Sequence, residues 1–324
     1  MSCRSIIGPT IPSPDGVRSS TLINYLSMVQ TSRPGGTSRR RPLFTRIAAC
    51  YQHVMRSVIT LLLVGGWLGF TAGDSRAHHV TDTVTFPSLE TYPGASAIDL
   101  GEVTGIMTRP DNAGPHRAVV MLHGCGGLNN KHKRWAQLFA AWGYASLRID
   151  SFNPRGIDEI CTDIRQAVPR AADINGAIAY LKTLNGIDTS EIVIVGWSHG
   201  ASVTLQALAM PSTLRPDLLE SVAGGVAIYP YCHRGSQAFA EPLLVLIGSA
   251  DEWTPAGLCE SMVERLPASS EPVDLVIYEG ATHSYDCMVC NGVYYGHLLV
   301  FDEPAYEDSA RRVEEFLAAN LFNN

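Results

Sequence analysis

The feature that most restricts this chain is a series of short, continuous apolar runs set between stretches of helical spacing. Residues 118–122, 144–149, 191–195, 225–229, 243–247 and 273–278 each read as a buried strand. Residues 133–142, 170–184 and 198–209 carry apolar residues at helical spacing, and residues 306–321 close the chain as an amphipathic helix. A strand that is apolar on every side chain is covered on both faces. Such strands alternating with helices predict an α/β fold. The sheet is mostly parallel, with about eight strands once residues 83–86 and 103–107 are added, and with helices on both faces. No internal repeat or Pro/Gly linker divides residues 78–324, so a single domain is expected there.

Charge is unevenly distributed. Residues 1–77 hold nine Lys/Arg against two Asp/Glu, whereas residues 78–324 hold 15 against 29. An acidic body lacks the basic groups that neutralise phosphates, so no nucleic-acid partner is expected. Met55-Arg56, the apolar run 58–70 and the small residues up to Ala77 have the three-part layout of a secretory signal. That run is shorter than the roughly 20 residues a membrane-spanning helix needs, so no stable membrane anchor is expected. On this reading residues 1–54 are a mis-assigned start, residues 55–77 a signal peptide, and the remainder periplasmic or secreted. Six cysteines follow: Cys125, Cys161, Cys232, Cys259, Cys287 and Cys290. An even number behind an export signal favours disulfides, and their pairing stays open, although spacing makes Cys287–Cys290 a plausible local loop. That CxxC lacks the second pair a zinc site wants, so no metal is expected.

The chemistry-bearing pattern is Gly196-Trp197-Ser198-His199-Gly200, directly after the strand 191–195 and directly before a helix. G-x-S-x-G in that context places a serine hydroxyl on a sharp turn above the sheet, with glycines where side chains would clash. A serine needs a base to be nucleophilic, and the base needs an orienting acid. Asp251 and His283 follow later strands in the order this fold uses, and both sit in loops at the ligand-binding edge of an open sheet. Rival acids are Glu252 and Asp286, and rival bases are His199 and His297. The oxyanion donors are expected from the backbone amides of His199 and of Cys125 in the loop His123-Gly124-Cys125-Gly126-Gly127. That loop lacks the spacing of nucleotide-binding glycine motifs. Trp197, Trp253, Tyr285 and Phe152 are candidate pocket walls. Arg155 could hold a substrate carboxylate, though a solvated loop arginine is the simpler reading.

Together, residues 123–127, Arg148-Ile149-Asp150-Ser151-Phe152 with Pro154-Arg155-Gly156, residues 196–200, residues 248–251 with Trp253-Thr254-Pro255, and Gly280-Ala281-Thr282-His283 resemble the dienelactone hydrolase family over roughly residues 85–320. The resemblance implies a compact α/β-hydrolase fold acting on small-molecule esters or lactones, with no cofactor. It maps the triad onto Ser198, Asp251 and His283. It also suggests Cys125–Cys161 and Cys232–Cys259 bridges. The founding members use a cysteine nucleophile where this chain has Ser198. The expected function is therefore an exported serine esterase or lactonase working through an acyl-enzyme. The alternatives are a peptidase or amidase with the same triad, or a catalytically silent binding module.

Overall fold

The computed structural model describes residues 78–90, 98–164, 166–232 and 237–321. Its strands are β1 (His79–Glu90), β2 (Ile98–Pro110), β3 (His116–Leu122), β4 (Ala145–Asp150), β5 (Ile187–Trp197), β6 (Val222–Ile228), β7 (Leu243–Gly248) and β8 (Val273–Tyr278). They form one sheet in the order β1-β2-β4-β3-β5-β6-β7-β8. The β1–β2 and β2–β4 pairs are antiparallel, and every pair from β4 to β8 is parallel. The helices are α1 (Asn130–Ala141), α2 (Arg170–Leu181), α3 (His199–Leu208), α4 (Pro216–Leu219), α5 (Ala256–Glu264) and α6 (Glu303–Leu321). Every residue of β4 and β7 is buried. Successive side chains on a strand point to opposite faces, so burial of all of them means both faces of the sheet are covered. This is the expected α/β-hydrolase architecture.

The differences from expectation have local causes. β1 and β2 run for 12 and 13 residues. Their outward side chains are polar, so the ribbon they form shows no continuous apolar run. Helix α1 starts at Asn130 rather than residue 133, because Asn129 caps it. The Asn129 side chain accepts from the Lys131 amide, and the Asn129 amide donates to the His132 ring. Helices α4 and α5 and the hairpin of β9 (Asn291–Tyr294) and β10 (His297–Val300) were not expected. The hairpin turns through Tyr295-Gly296, both at positive φ, as a two-residue primed turn requires. Its four-residue strands are too short and too exposed for periodicity to reveal them.

The sulfurs form three bonds: Cys125–Cys161, Cys232–Cys259 and Cys287–Cys290. The first ties the loop after β3 to the segment ahead of α2, and the second ties the loop after β6 to α5. The leader expected over residues 1–77 lies outside the described residues. Among the described residues no helix is long and apolar enough to cross a membrane. The parallel strands β3, β5, β6, β7 and β8 all deliver their C-terminal ends to one edge, and the loops there build the site.

Candidate active site

Strand β5 ends at Trp197 and α3 begins at His199, leaving Ser198 alone in the turn. Its backbone sits at φ +53°, ψ −117°, a region that costs a non-glycine residue free energy and persists only where its surroundings impose it. Those surroundings are close-packed backbone. A β-carbon on Gly196 would lie 2.3 Å from the Gly200 carbonyl oxygen, and one on Gly200 would lie 2.2 Å from that of Leu122. The Ser198 amide donates to the Ile228 carbonyl at 2.9 Å, which pins the turn to β6.

The loop after β8 brings His283 to this serine, with Nε2 3.0 Å from Ser198 Oγ. The loop after β7 brings Asp251, whose Oδ2 is 2.7 Å from His283 Nδ1. A carboxylate only accepts, so Nδ1 carries the proton and Nε2 presents its lone pair to the hydroxyl. Asp251 is oriented in turn. Its Oδ1 accepts from the amides of Trp253 and Thr254, and the Thr254 hydroxyl donates to Oδ2 at 2.8 Å. Burial lowers the His283 pKa, while the bond and charge of Asp251 work against that shift.

Gly124 lies against the serine, close enough that a β-carbon there would be 3.4 Å from Ser198 Cβ. The adjacent Cys125 lines the same cavity as Ser198. Among the described residues its amide makes no backbone hydrogen bond, and the His199 amide opens α3, where an N–H has no partner within the helix. The loop is fixed from behind. Cys125 is bonded to Cys161, its carbonyl accepts from the Ile160 amide at 2.9 Å, and Cys125, Phe152 and Ile160 form a small satellite core. A buried arginine joins the 123–127 loop to the start of α3. Arg170 donates to the His123 carbonyl at 2.7 Å and to His199 Nδ1 at 2.9 Å. Burial, then the charge of Arg170, pulls the His199 pKa down to about 4. The His199 ring is therefore neutral and occupied, and it faces Arg170 rather than Ser198.

The cavity has a volume of about 380 Å³ and is lined by Ser198, His283, the 124–127 loop, Lys131, Trp253 and the β9–β10 hairpin, among others. A model of the dienelactone hydrolase family matches residues 103–321. The chain belongs to that family. A protein of Methylorubrum extorquens named "Putative carboxymethylenebutenolidase" is 24% identical over 208 residues, spanning 57% of this chain and 68% of that one. A Bradyrhizobium protein named "Probable 2-oxo-3-(5-oxofuran-2-ylidene)propanoate lactonase" is 22% identical over 197 residues, 55% of this chain and 77% of that one. Two solved structures share the fold. A "Putative Dienelactone Hydrolase" from Klebsiella pneumoniae aligns with TM-score 0.56 at 17% identity, covering 76% of this chain and 100% of its own. A thermophilic esterase of Thermogutta terrifontis aligns with TM-score 0.52 at 17% identity, covering 72% and 92%. As a member of the family, this protein is a hydrolase acting on esters or lactones.

Of the four aromatic residues expected to wall the pocket of this dienelactone hydrolase relative, Trp253 does line the cavity. Trp197, Tyr285 and Phe152 do not, because they are buried in the packing behind it. Their proximity to the motifs reflects core formation, as is usual for large aromatics. Arg155 is half-buried and not free to take a substrate carboxylate. It forms a two-pronged pair with Asp173, at 2.7 and 3.0 Å, and caps the Ser151 carbonyl. His297 stacks on Trp253 with ring centroids 4.5 Å apart, away from the base position.

The rival acid Asp286 has a different task. It is fully buried and has no solvent to neutralise it. Instead Trp135 Nε1 and Trp197 Nε1 donate to its Oδ2 at 2.9 and 3.0 Å, and Tyr229 Oη donates to Oδ1 at 2.7 Å. Lys131 Nζ stands 3.9 Å from Oδ1 and donates to Tyr229 Oη and Ser284 Oγ at 2.7 and 2.9 Å. Burial, then Asp286, pushes the Tyr229 pKa well above its ordinary value, so the phenol stays protonated as the donor the carboxylate needs. Sequence reading missed Lys131, Tyr229 and Arg170. They lie in three separate segments, and only their lack of solvent marks them.

Replacing Asp286 by alanine strands one cation, two indoles and a phenol. The Asp286→Ala protein should lose about 3–5 kcal/mol of stability, read by urea denaturation with tryptophan fluorescence. An unchanged midpoint would contradict this account of the network.

Proposed function

We propose that the protein is an exported serine hydrolase that cleaves carboxylic esters or lactones through an acyl-enzyme on Ser198. The observation that carries this reading is the unbroken chain from Asp251 through His283 to Ser198, with the serine held in a strained turn. In the first half-reaction Ser198 Oγ attacks the substrate carbonyl while His283 Nε2 takes its proton. The oxyanion is held by the amides of Cys125 and His199. As the carbon–oxygen bond breaks, His283 returns the proton to the leaving alkoxide. With a lactone, that new hydroxyl remains tethered to the acyl group. In the second half-reaction His283 deprotonates a water, which attacks the acyl carbon and releases the acid and free Ser198. Asp251 keeps the imidazole in the required tautomer and balances its transient charge.

The size of the cavity suits a small-molecule substrate. The names of the two relatives, a butenolidase and an oxofuranylidene-propanoate lactonase, favour a lactone among the substrates. Export is favoured by the three disulfides, which persist in oxidising compartments and are rare in the cytosol.

Ser198→Ala should cut turnover of 4-nitrophenyl acetate by roughly 10⁴-fold or more, and a fluorophosphonate should label the wild type but not this variant. A folded wild-type protein that neither turns over nor labels would remove the serine-hydrolase reading. The neutral imidazole is the working base, so kcat/KM should rise with pH through the folded-state pKa of His283. Burial has lowered that value, which places the acid limb below 6.5. A pH–rate profile with its limb above 6.5 would contradict it. For export, cell fractionation and mass spectrometry should find a mature chain beginning at His78 outside the cytoplasm. A cytosolic chain with free thiols would count against that part of the proposal.

A further inference from the structure

A hairpin that the acyl-transfer chemistry does not use closes over the catalytic cavity. β9 and β10 pair through the turn at Tyr295-Gly296, and Asn291, Gly292, Val293, Tyr294 and Leu299 all line the space that holds Ser198 and His283. Two short strands on their own are marginal in water, so the hairpin depends on what anchors it. At its base the Val300 amide donates to Thr282 Oγ1 at 2.9 Å, and the Phe301 amide donates to the Cys290 carbonyl at 3.1 Å. The Cys287–Cys290 bond closes the turn that leads into it. On its flank the His297 ring stacks on Trp253. Trp253 is itself tied to the triad. Its amide donates to Asp251 Oδ1, and its ring centroid lies 5.0 Å from that of His283. The hairpin is thus registered to the catalytic residues along one side of the cavity.

Tyr294 carries the hairpin across to the other side. A β-carbon on Gly126 would lie 3.8 Å from Tyr294 Oη, so the phenol ends against the 124–127 loop. Residues 124, 126 and 127 are glycines, and the phenol therefore supplies the bulk where hairpin and loop meet. Its ring is backed by Tyr295, with centroids 4.4 Å apart, and by Trp253 at 6.4 Å. Tyr294 is nevertheless half-exposed, so the ring stands in the opening of the cavity and not in the core. The wall it belongs to is apolar, with Val289, Val293, Leu299 and Trp253 as its other side chains of any size. A wall of that kind discriminates by shape and length, because it has no charge with which to read a substrate.

We propose that Tyr294 is a specificity residue, the stop at which the β9–β10 roof meets the 124–127 loop. It admits short acyl and alcohol groups and bars an unbranched chain long enough to run into the phenol. A longer substrate has to displace the ring or fold back on itself, and either costs transition-state binding that a short substrate keeps. This rests on the esterase or lactonase reading above and names the size class that reading leaves open.

The test reads chain-length ratios with the full chain. On the acyl side, kcat/KM is measured for 4-nitrophenyl octanoate and 4-nitrophenyl butyrate. On the alcohol side, it is measured for hexyl butyrate and ethyl butyrate. The wild type should disfavour the longer substrate by about tenfold or more in at least one series, and Tyr294→Ala should raise that long-to-short ratio by about tenfold. Tyr294→Phe keeps the ring and should keep the wild-type ratio. Leu298→Ala controls for a loosened hairpin. Leu298 is half-exposed on the same hairpin and does not line the cavity, so its replacement should leave the ratio alone. A wild-type ratio near one in both series overturns the proposal. So does a ratio that Y294A leaves intact or lowers, or one that Y294F or L298A raises as far as Y294A does. Should Y294A fail to fold, Tyr294→Val, which suits a strand, takes its place with the same expected rise and the same overturning result. A wild type that cleaves none of these esters defeats the hydrolase reading itself, whereas equal cleavage of long and short esters defeats only the role of Tyr294.

Discussion

The buried carboxylate of Asp286 is the interaction on which the rest of the site depends. It has no access to water, so its charge must be met by protein groups, and those groups come from separate parts of the chain. Trp135 and Lys131 come from α1, Trp197 from the last residue of β5, and Tyr229 from the end of β6. Asp286 itself lies three residues beyond His283. One fully bonded anion thus fixes α1, the residue before the candidate nucleophile and the loop that carries the candidate base in a single arrangement. A hydrogen-bond network of this kind is stable only when complete, so it specifies geometry more strongly than an apolar contact would.

That constraint makes the strain at Ser198 tolerable. A serine at positive φ relaxes unless its neighbours forbid it. Here the backbone of α3 runs so close to β5 and to the 122–123 segment that Gly196 and Gly200 have no room for a β-carbon. Trp197 is anchored by its indole, and Ser198 by its amide. The Arg170 guanidinium completes the support by joining the His123 carbonyl to the His199 ring. Both segments that carry the proposed oxyanion donors therefore hang on one buried cation, and the Cys125–Cys161 bond holds one of them from the other side.

What was legible in the sequence follows from what has a local signature. Strands buried on both faces declare themselves as continuous apolar runs. The residues at 198, 251 and 283 stand out because each follows such a run at an offset the fold uses. The edge ribbon of β1 and β2 was read short because its outer side chains are polar, and the β9–β10 hairpin was missed because four exposed residues carry no period. The pocket walls were mostly misassigned. Trp197, Tyr285 and Phe152 adjoin the motifs in sequence, but alternation along β5 and packing behind the loops send them inward. Asp286 is the sequence's rival to Asp251, and only the packing shows that its carboxylate meets two indoles and the Tyr229 phenol.

The sequence by itself determined the layered α/β architecture, the strand–turn–helix around Ser198 and the order in which acid and base return to it. Each of these depends on residues close together in the chain. Only the tertiary structure decided which carboxylate meets the histidine, which aromatic residues face the cavity, and that a lysine in the first turn of α1 faces the same space as the serine. Those outcomes depend on which loops converge at one edge of the sheet and on which side chains are left without water. Both are properties of the packed whole, and no single segment of the chain carries them.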